Sequence, residues 1–470
     1  MNDIKSGRAH APLSEAAMAP GAQPAWPPLR QAYYAAWVLA AVQMCAQLNN
    51  GVMSLLVEPV KRDLGLTDMQ MSYLLGFSTV LFYVVIGIPA ARLVDRHNRK
   101  WLTAGAVLVW SGATAACGFA QNFWQFFAAR FGIGAGESIN GPLAYSLMAD
   151  YFPPEKLPRA IAIYNVGFTG GTAISLLLGA LMIHILNGLP TVTLPLLGVV
   201  RDWQFVFILN GLVGIPIALL VASIAEPKRR GLSLAQPQSP GKSTHRAATL
   251  REVFAYFLLH WRIYGPIFLG LCFTSLHMFG MAAWGAVFYM RSYGWAPATV
   301  GLYSGLLSLA LAVPSLLGAI WISDWFRNRG HADANMRVLA IGFSLSAPFM
   351  ILGPLMPNPW LALAMGGIGS ACMLFAAPSL NAAMQIVTPN EMRGQMTALY
   401  LFTMSAIGGG LGPTYMAFLT EHVWGDPMLL RYALATSAAI LFPLSAVTYW
   451  SGMKPYGVRI RAMKAAGLPV

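Results

Sequence analysis

The sequence predicts an all-α membrane protein of twelve transmembrane helices arranged as two related six-helix bundles, and three observations carry that prediction. Of its 470 residues, 57% are hydrophobic and only 10% are charged, against about 25% charged in a soluble domain. Apolar runs of about 20 residues, the length of one bilayer crossing, recur along the chain. The basic residues gather in alternate short segments between those runs, as a chain that threads back and forth requires.

Taken in order, residues 1–30 contain Pro, Ala and three basic residues but no continuous apolar core. They read as a cytoplasmic tail and not as a cleaved signal peptide. Spans one to six are expected at 31–57, 69–92, 101–120, 123–149, 158–187 and 203–225, forming a first bundle over 31–225. A linker follows at 226–262, opening with EPKRRG, passing through LAQPQSPGKS and ending in the amphipathic stretch LREVFAYFLLHWR. Its aromatics suit the headgroup region of a membrane. Spans seven to twelve are expected at 263–290, 298–324, 336–356, 359–387, 393–420 and 429–452, a second bundle over 263–452, with 453–470 as a closing tail. With both termini in the cytoplasm, inner segments hold 24 of the 30 Lys and Arg residues. Outer segments hold Lys61, Arg62, Arg201, Arg291 and Arg431, and Arg130 is embedded. The expected location is the inner cell membrane, crossed many times.

Composition also excludes several functions. A net charge of +13 suggests nucleic acid, but the basic residues are scattered and no patch is interleaved with aromatics, so they report topology instead. Cys45, Cys117, Cys272 and Cys372 match neither a disulfide framework nor a zinc pattern and read as small packing residues. No phosphate-binding Gly-x-x-x-x-Gly-Lys-Ser/Thr run is present. Nucleotide-driven work through such a loop is thereby not expected, so any solute movement would draw on a gradient; no cofactor is expected, and the expected unit is a monomer.

The two bundles echo one another, the internal repeat expected of many transporters. YFPPEKLPRAIAIYNVGFTGGT after span four has its counterpart in IVTPNEMRGQMTALYLFTMSAIGGG after span ten. ARLVDRHNRK after span two is matched by AIWISDWFRNRG after span eight, each placing an Asp before a basic cluster at a cytoplasmic helix end.

Within span four, the run RFGIGAGES carries Arg130 and Glu137, the only charges between Phe123 and Met148. Seven residues apart, they share one helix face. Charge at bilayer depth costs at least ~2.5–3.5 kcal/mol per residue, so both should face a cavity or each other. Gly132, Gly134 and Gly136 beside them allow a neighbouring backbone to come close. The pair either fixes helix register or binds and couples: movement of Arg130 relative to Glu137 changes the carboxyl's proton affinity, and Arg130 suits an anionic headgroup. His277 in span seven is either a titrating group or a hydrogen-bonded packing residue. Tyr164, Asn165, Thr169, Asn381 and Gln385 fall in helices expected to line the cavity. Glu58 is expected at the outer end of span one, in a structural or gating role.

The run Asp95, Arg96, Arg99 and Lys100 resembles the loop signature of the major facilitator superfamily, with which twelve spans in two related halves agree. The resemblance implies that this loop clamps the cytoplasmic side when the cavity opens outward. Asp95 would sit at the positive N-terminal end of span eleven near Arg393, Arg96 would pair with Asp150, and Asp324 would do the mirrored job near Arg159. The family usually has Gly where Ala91 stands. LLVEPVKRDLGLTDMQMSYLLGF, RFGIGAGES, ADYFPPEKLPRA and IVTPNEMRGQMTALYLF together are similar to bacterial spinster-like transporters over nearly the whole chain. That resemblance implies alternating-access transport of an amphiphilic or lipid-like molecule of the sphingolipid or lysophospholipid type, with Arg130 and Glu137 as the family's embedded pair and protons as a proposed partner. Spinster-like chains commonly carry an Asp-Arg pair where this one has Asn49 and Asn50. An asparagine cannot take a proton, so coupling runs through Glu137 alone or is absent. Two readings stand beside this one, a proton-coupled carboxylate symporter and an uncoupled facilitator. A membrane enzyme would need a cluster of His and acidic residues at one interface, for which His97, Asp95 and Asp150 are the candidates.

Overall fold

The computed structural model describes residues 26–78, 80–81, 97–153, 155–186, 192–194, 198–227, 229 and 250–467. The chain is almost wholly helical and forms two six-helix halves. Among the described residues, seven helical segments are each long and apolar enough to cross a membrane on their own: Leu157–Leu186, Asp202–Ser223, Trp261–Tyr293, Pro297–Asn328, Ala334–Leu355, Pro359–Val387 and Pro427–Ala465. They are spans five to ten and span twelve. Because an even number of crossings returns the chain to its starting side, the face that carries both ends is called here the terminal face and the opposite one the distal face.

The remaining spans depart from the simple apolar rod, each for a local reason. Span one, Leu29–Leu64, carries Gln43, Gln47, Asn49 and Asn50 near its middle and ends at Gly65, whose φ of 64° closes the helix in a left-handed turn. Span two begins at Asp68 under a reciprocal cap, in which Thr67 and Gln70 each accept the other's main-chain N–H. It then widens into a π-helical turn at Tyr73–Phe77. Ala91, Asp95 and Arg96 lie outside the described residues. Span three is Arg99–Cys117. Span four is expected as one rod over 123–149 but is two helices, Phe123–Glu137 and Asn140–Tyr151. Pro142 explains the break, since its ring has no N–H for the Ser138 carbonyl and collides with it. Span eleven is likewise divided, running from Arg393–Thr403 through the π-helical Met404–Leu411 to Gly412–Phe418.

Three further features lie between or beyond the expected spans. A two-stranded antiparallel hairpin, Val192–Leu194 with Gly198–Val200, precedes span six. The amphipathic end of the linker is a helix, Leu250–Leu259, which turns at His260 into span seven. Span twelve does not stop at 452. Its helix continues to Ala465 with Tyr456 and Ile460 buried, and Arg459 donates to the Tyr256 hydroxyl of the linker helix at 3.2 Å. The sequence beyond 452 reads as a tail because its charges mask that buried stripe.

Packing joins the halves on the distal side. One buried cluster runs through the first half and continues into the distal ends of spans seven, eleven and twelve at Trp284, Phe288, Met416 and Leu434. A second, built on Tyr264, Phe268, Met336, Phe343 and Tyr449, fills the terminal side of the second half. Span five lies against span one, where a Cβ at Gly167 would stand 2.3 Å from the Ala40 carbonyl oxygen. Across the halves, a Cβ at Gly76 would stand 2.3 Å from the Gly409 carbonyl oxygen, so the π-helical turns of spans two and eleven touch main chain to main chain. Near the embedded pair, a Cβ at Gly136 would meet the Ala106 carbonyl at 2.7 Å, so span four presses on span three through its glycine face.

Backbone cannot yield as a side chain can, so Gly167→Val is expected to cost at least the ~1–3 kcal/mol typical of overpacking. It should lower the melting midpoint in detergent, while Gly170→Ala, where a Cβ meets nothing within 4 Å, should leave it unchanged.

Candidate functional site

Three polar layers cross the bundle, and the distal one locks the halves together. Arg291, near the end of span seven, donates from Nε to Glu58 of span one at 2.7 Å and from both terminal nitrogens to Asp68 at 2.7 and 2.8 Å. It also reaches the Pro427 carbonyl at 2.9 Å. Lys61 bonds the same Asp68. The Met69 N–H, in the first turn of span two, donates to Glu421 of span eleven at 3.1 Å, an acid at a helix start where the dipole favours it. Burial of Asp68 raises its proton affinity, but the hydrogen bonds and charges of Arg291 and Lys61 outweigh this and hold its carboxyl below the ordinary range.

The middle layer belongs to the first half. Arg130 is 2% exposed; its Nε donates to the Leu74 carbonyl at 2.9 Å, in the π-helical turn of span two, and one terminal nitrogen has no partner among the described residues. Arg130 does not form an ion pair with Glu137. Two helical turns separate their backbones by about 10 Å, and each side chain meets a nearer group on another span. Glu137 is half-buried and accepts from the Asn49 amide at 3.0 Å. The Asn49 carbonyl is engaged in turn by the Asn210 amide at 3.1 Å and the Thr114 hydroxyl at 3.0 Å. Asn49 thereby joins spans one, three, four and six. Asn50 is exposed, on the span-one face that also carries Gln43 and Gln47.

On the terminal side, Arg99 is buried and spends its donors on Asp150, on Glu226 at 3.0 Å, on Ser146 and on the Pro227 carbonyl at 3.1 Å. Lys100 donates its main-chain N–H to Glu226 at 2.8 Å. Arg96, the residue expected on Asp150, lies outside the described residues; Arg99, which opens span three beside the end of span four, bonds Asp150. Asp324 is exposed and bonds Arg327, one turn along its own helix, at 2.6 Å, and Arg159 is exposed. The expected contact between those two, tied to the state whose cavity opens outward, is not formed in this structure. Arg393 donates to the Gln385 and Thr388 carbonyls at 3.1 Å, closing the turn out of span ten.

His277 stands apart from Arg130 and Glu137. It is buried within the second half, with Nδ1 3.0 Å from the Ser437 hydroxyl, its ring edge-on to Phe442 and its Nε2 without a partner among the described residues. Tyr164 donates to Gln43 at 2.6 Å. Asn165 is exposed and Thr169 half-buried on the same helix. Asn381 and Gln385 are exposed one turn apart and bonded to each other at 3.0 Å. The sequence reading missed the distal clamp of Asp68, Arg291 and Glu421, and also Gln43, Thr114, Asn140 and Asn210. An acid immediately after a Thr cap, facing a base at the end of an apolar run in the other half, is the signal that would have found the first group.

These features define a membrane transporter of two six-helix halves. The family model of the Major Facilitator Superfamily matches residues 39–413, and the chain belongs to that family; its activity is transport and not catalysis. It is 26% identical over 430 residues, covering 91% of this chain and 94% of the relative, to a protein of Mycolicibacterium smegmatis described as an MFS-type efflux pump. It is 23% identical to a probable L-galactonate transporter of Escherichia coli over 82% of each chain. Among solved structures, a bacterial homolog of the human lysosomal transporter spinster, in an inward-facing and unoccupied conformation, superposes with a TM-score of 0.74 at 22% identity, covering 93% of this chain and 99% of that one.

The depressed Asp68 carboxyl contributes stability above its unfolded value of about 3.9 and loses it as pH falls through the lower folded value. Asp68→Asn is therefore expected to lower the melting midpoint at pH 7, with a cost approaching the ~3–5 kcal/mol of a broken buried pair. The gap between variant and parent should persist to pH 5 and shrink only below about pH 4.

Proposed function

We propose that this protein is a secondary transporter that moves an amphiphilic organic molecule through a cavity between its halves by alternating access. Both termini face the cytoplasm of the inner membrane, so the distal face is external. The observation that carries the reading is Arg130, a single mid-depth arginine whose Nε is held by Leu74 and which retains one terminal nitrogen without a partner among the described residues. One guanidinium beside one carboxyl suits a single anionic or polar head, whereas a small dianion calls for more than one cation. The likeness to the efflux pump and to the spinster homolog supports this reading. The L-galactonate relative keeps the carboxylate symporter as the alternative, in which the same nitrogen receives a carboxylate.

Coupling is assigned to Glu137. It is the only carboxyl in the middle layer among the described residues, and Asn49, its hydrogen-bond partner, carries no proton to exchange. The bonds of Arg291 with Glu58 and Asp68 form the external gate, closed here. Arg99, Lys100, Asp150 and Glu226, together with Asp95 and Arg96, belong to the cytoplasmic gate.

In proteoliposomes, uptake of a labelled lysophospholipid is expected to rise with an imposed pH gradient and to lose that rise in Glu137→Gln. Equal flux with and without the gradient would identify a facilitator; no flux, with uptake of a labelled sugar acid, would identify the alternative. Asn49→Asp would set two carboxyls within hydrogen-bond distance, where one proton is shared. That variant is expected to make flux depend more steeply on pH than in the parent.

A further inference from the structure

Toward the terminal face from Glu137 lies a second cluster, made only of uncharged groups. Gln43, six residues and about 9 Å before Asn49 on span one, accepts at Oε1 from the Tyr164 hydroxyl at 2.6 Å and from the Asn140 amide at 2.9 Å. Its own amide nitrogen donates to no described residue and is not sealed from solvent. Asn140 is 4% exposed, and its Oδ1 is buried without a partner among the described residues. The Tyr145 ring stands edge-on to Tyr164 at 5.5 Å and is itself exposed. Gln47, bonded to Thr172 at 2.9 Å, and the exposed Asn50 and Asn165 continue this neutral polar wall along spans one and five.

A cluster that served packing alone would consume its own donors and acceptors, because an unmet polar group at bilayer depth is costly. Here the acceptor of Gln43 is doubly occupied and held in place while its donor end is left open. From this we infer that Gln43, positioned by Tyr164 and Asn140 and walled by Tyr145, is a substrate-binding residue that donates to an uncharged oxygen, a hydroxyl or amide carbonyl, on the polar head of the substrate. The inference rests on the amphiphile reading and deepens it. The substrate class is an amphiphile whose polar part carries hydroxyl or amide groups in addition to its charge.

The test is equilibrium binding to the purified full chain of two lipids with the same acyl tail. Lysophosphatidylglycerol bears a hydroxylated head beyond its phosphate, and lysophosphatidic acid bears none. Gln43→Met removes the amide at nearly constant volume. It is expected to weaken lysophosphatidylglycerol about three- to tenfold, the effect of one neutral hydrogen bond, and to leave lysophosphatidic acid within about twofold. If Gln43→Met lowers the melting midpoint, Tyr164→Phe, which removes only one bond to Gln43, should show the same split between lipids. Equal weakening of both lipids, or no weakening of either, overturns the inference. If the unaltered protein binds neither lipid, the amphiphile reading fails, and the same variants are measured with gluconate against hexanoate. Selective loss of gluconate keeps the Gln43 subsite, and no selective loss ends it.

Discussion

The middle of the first half depends on the carboxamide of Asn49. Its carbonyl is taken by Asn210 and Thr114, so only its amide remains for Glu137. A carboxylate at this position could satisfy the two donors but would present like charge to Glu137 at hydrogen-bond distance, which is unfavourable where the surroundings screen poorly. The asparagine therefore serves as both a joint among four spans and a fixed donor to the one acid of the layer. Arg130, released from Glu137, is free to brace the π-helical turn of span two through Leu74.

The same rule, that a polar group in this medium must find a partner, orders the rest of the molecule. At the distal face, Arg291 gathers carboxylates from two spans of the other half, and buried apolar packing follows it there through Trp284 and Phe288. At the terminal face, Arg99 binds span three to span four and to the start of the linker through Asp150 and Glu226. The linker helix is bound to the second half, through Arg459 and Tyr256.

Continuous apolar runs made spans five to ten legible, because length and hydropathy alone define a crossing. The paired halves were legible in their repeated Pro, Arg and Gly pattern. Breaks were harder to see: Pro142 sits in an otherwise apolar run, and its effect is on the carbonyl four residues earlier. Partnerships were least legible. Arg130 and Glu137 share a face by spacing, yet spacing along one helix says nothing of Leu74 or Asn49 on its neighbours. That Arg99 reaches Asp150 depends on where span three begins, a matter of a single turn. Asp68 and Arg291 resemble ordinary loop charges until the fold brings them together.

Where spans two and eleven cross, Gly76 meets the Gly409 and Gly410 carbonyls, with the Pro413 ring beside it and the Val80 side chain against Gly409 and Gly410. A close main-chain contact edged by a fixed ring and a stiff β-branched side chain has few knobs to seat in holes and few rotamers to reset, so it offers little resistance to sliding. In mechanical terms, and on the proposed alternating access, it is a bearing on which one half would turn against the other, with the ion pairs at the distal rim as the latch.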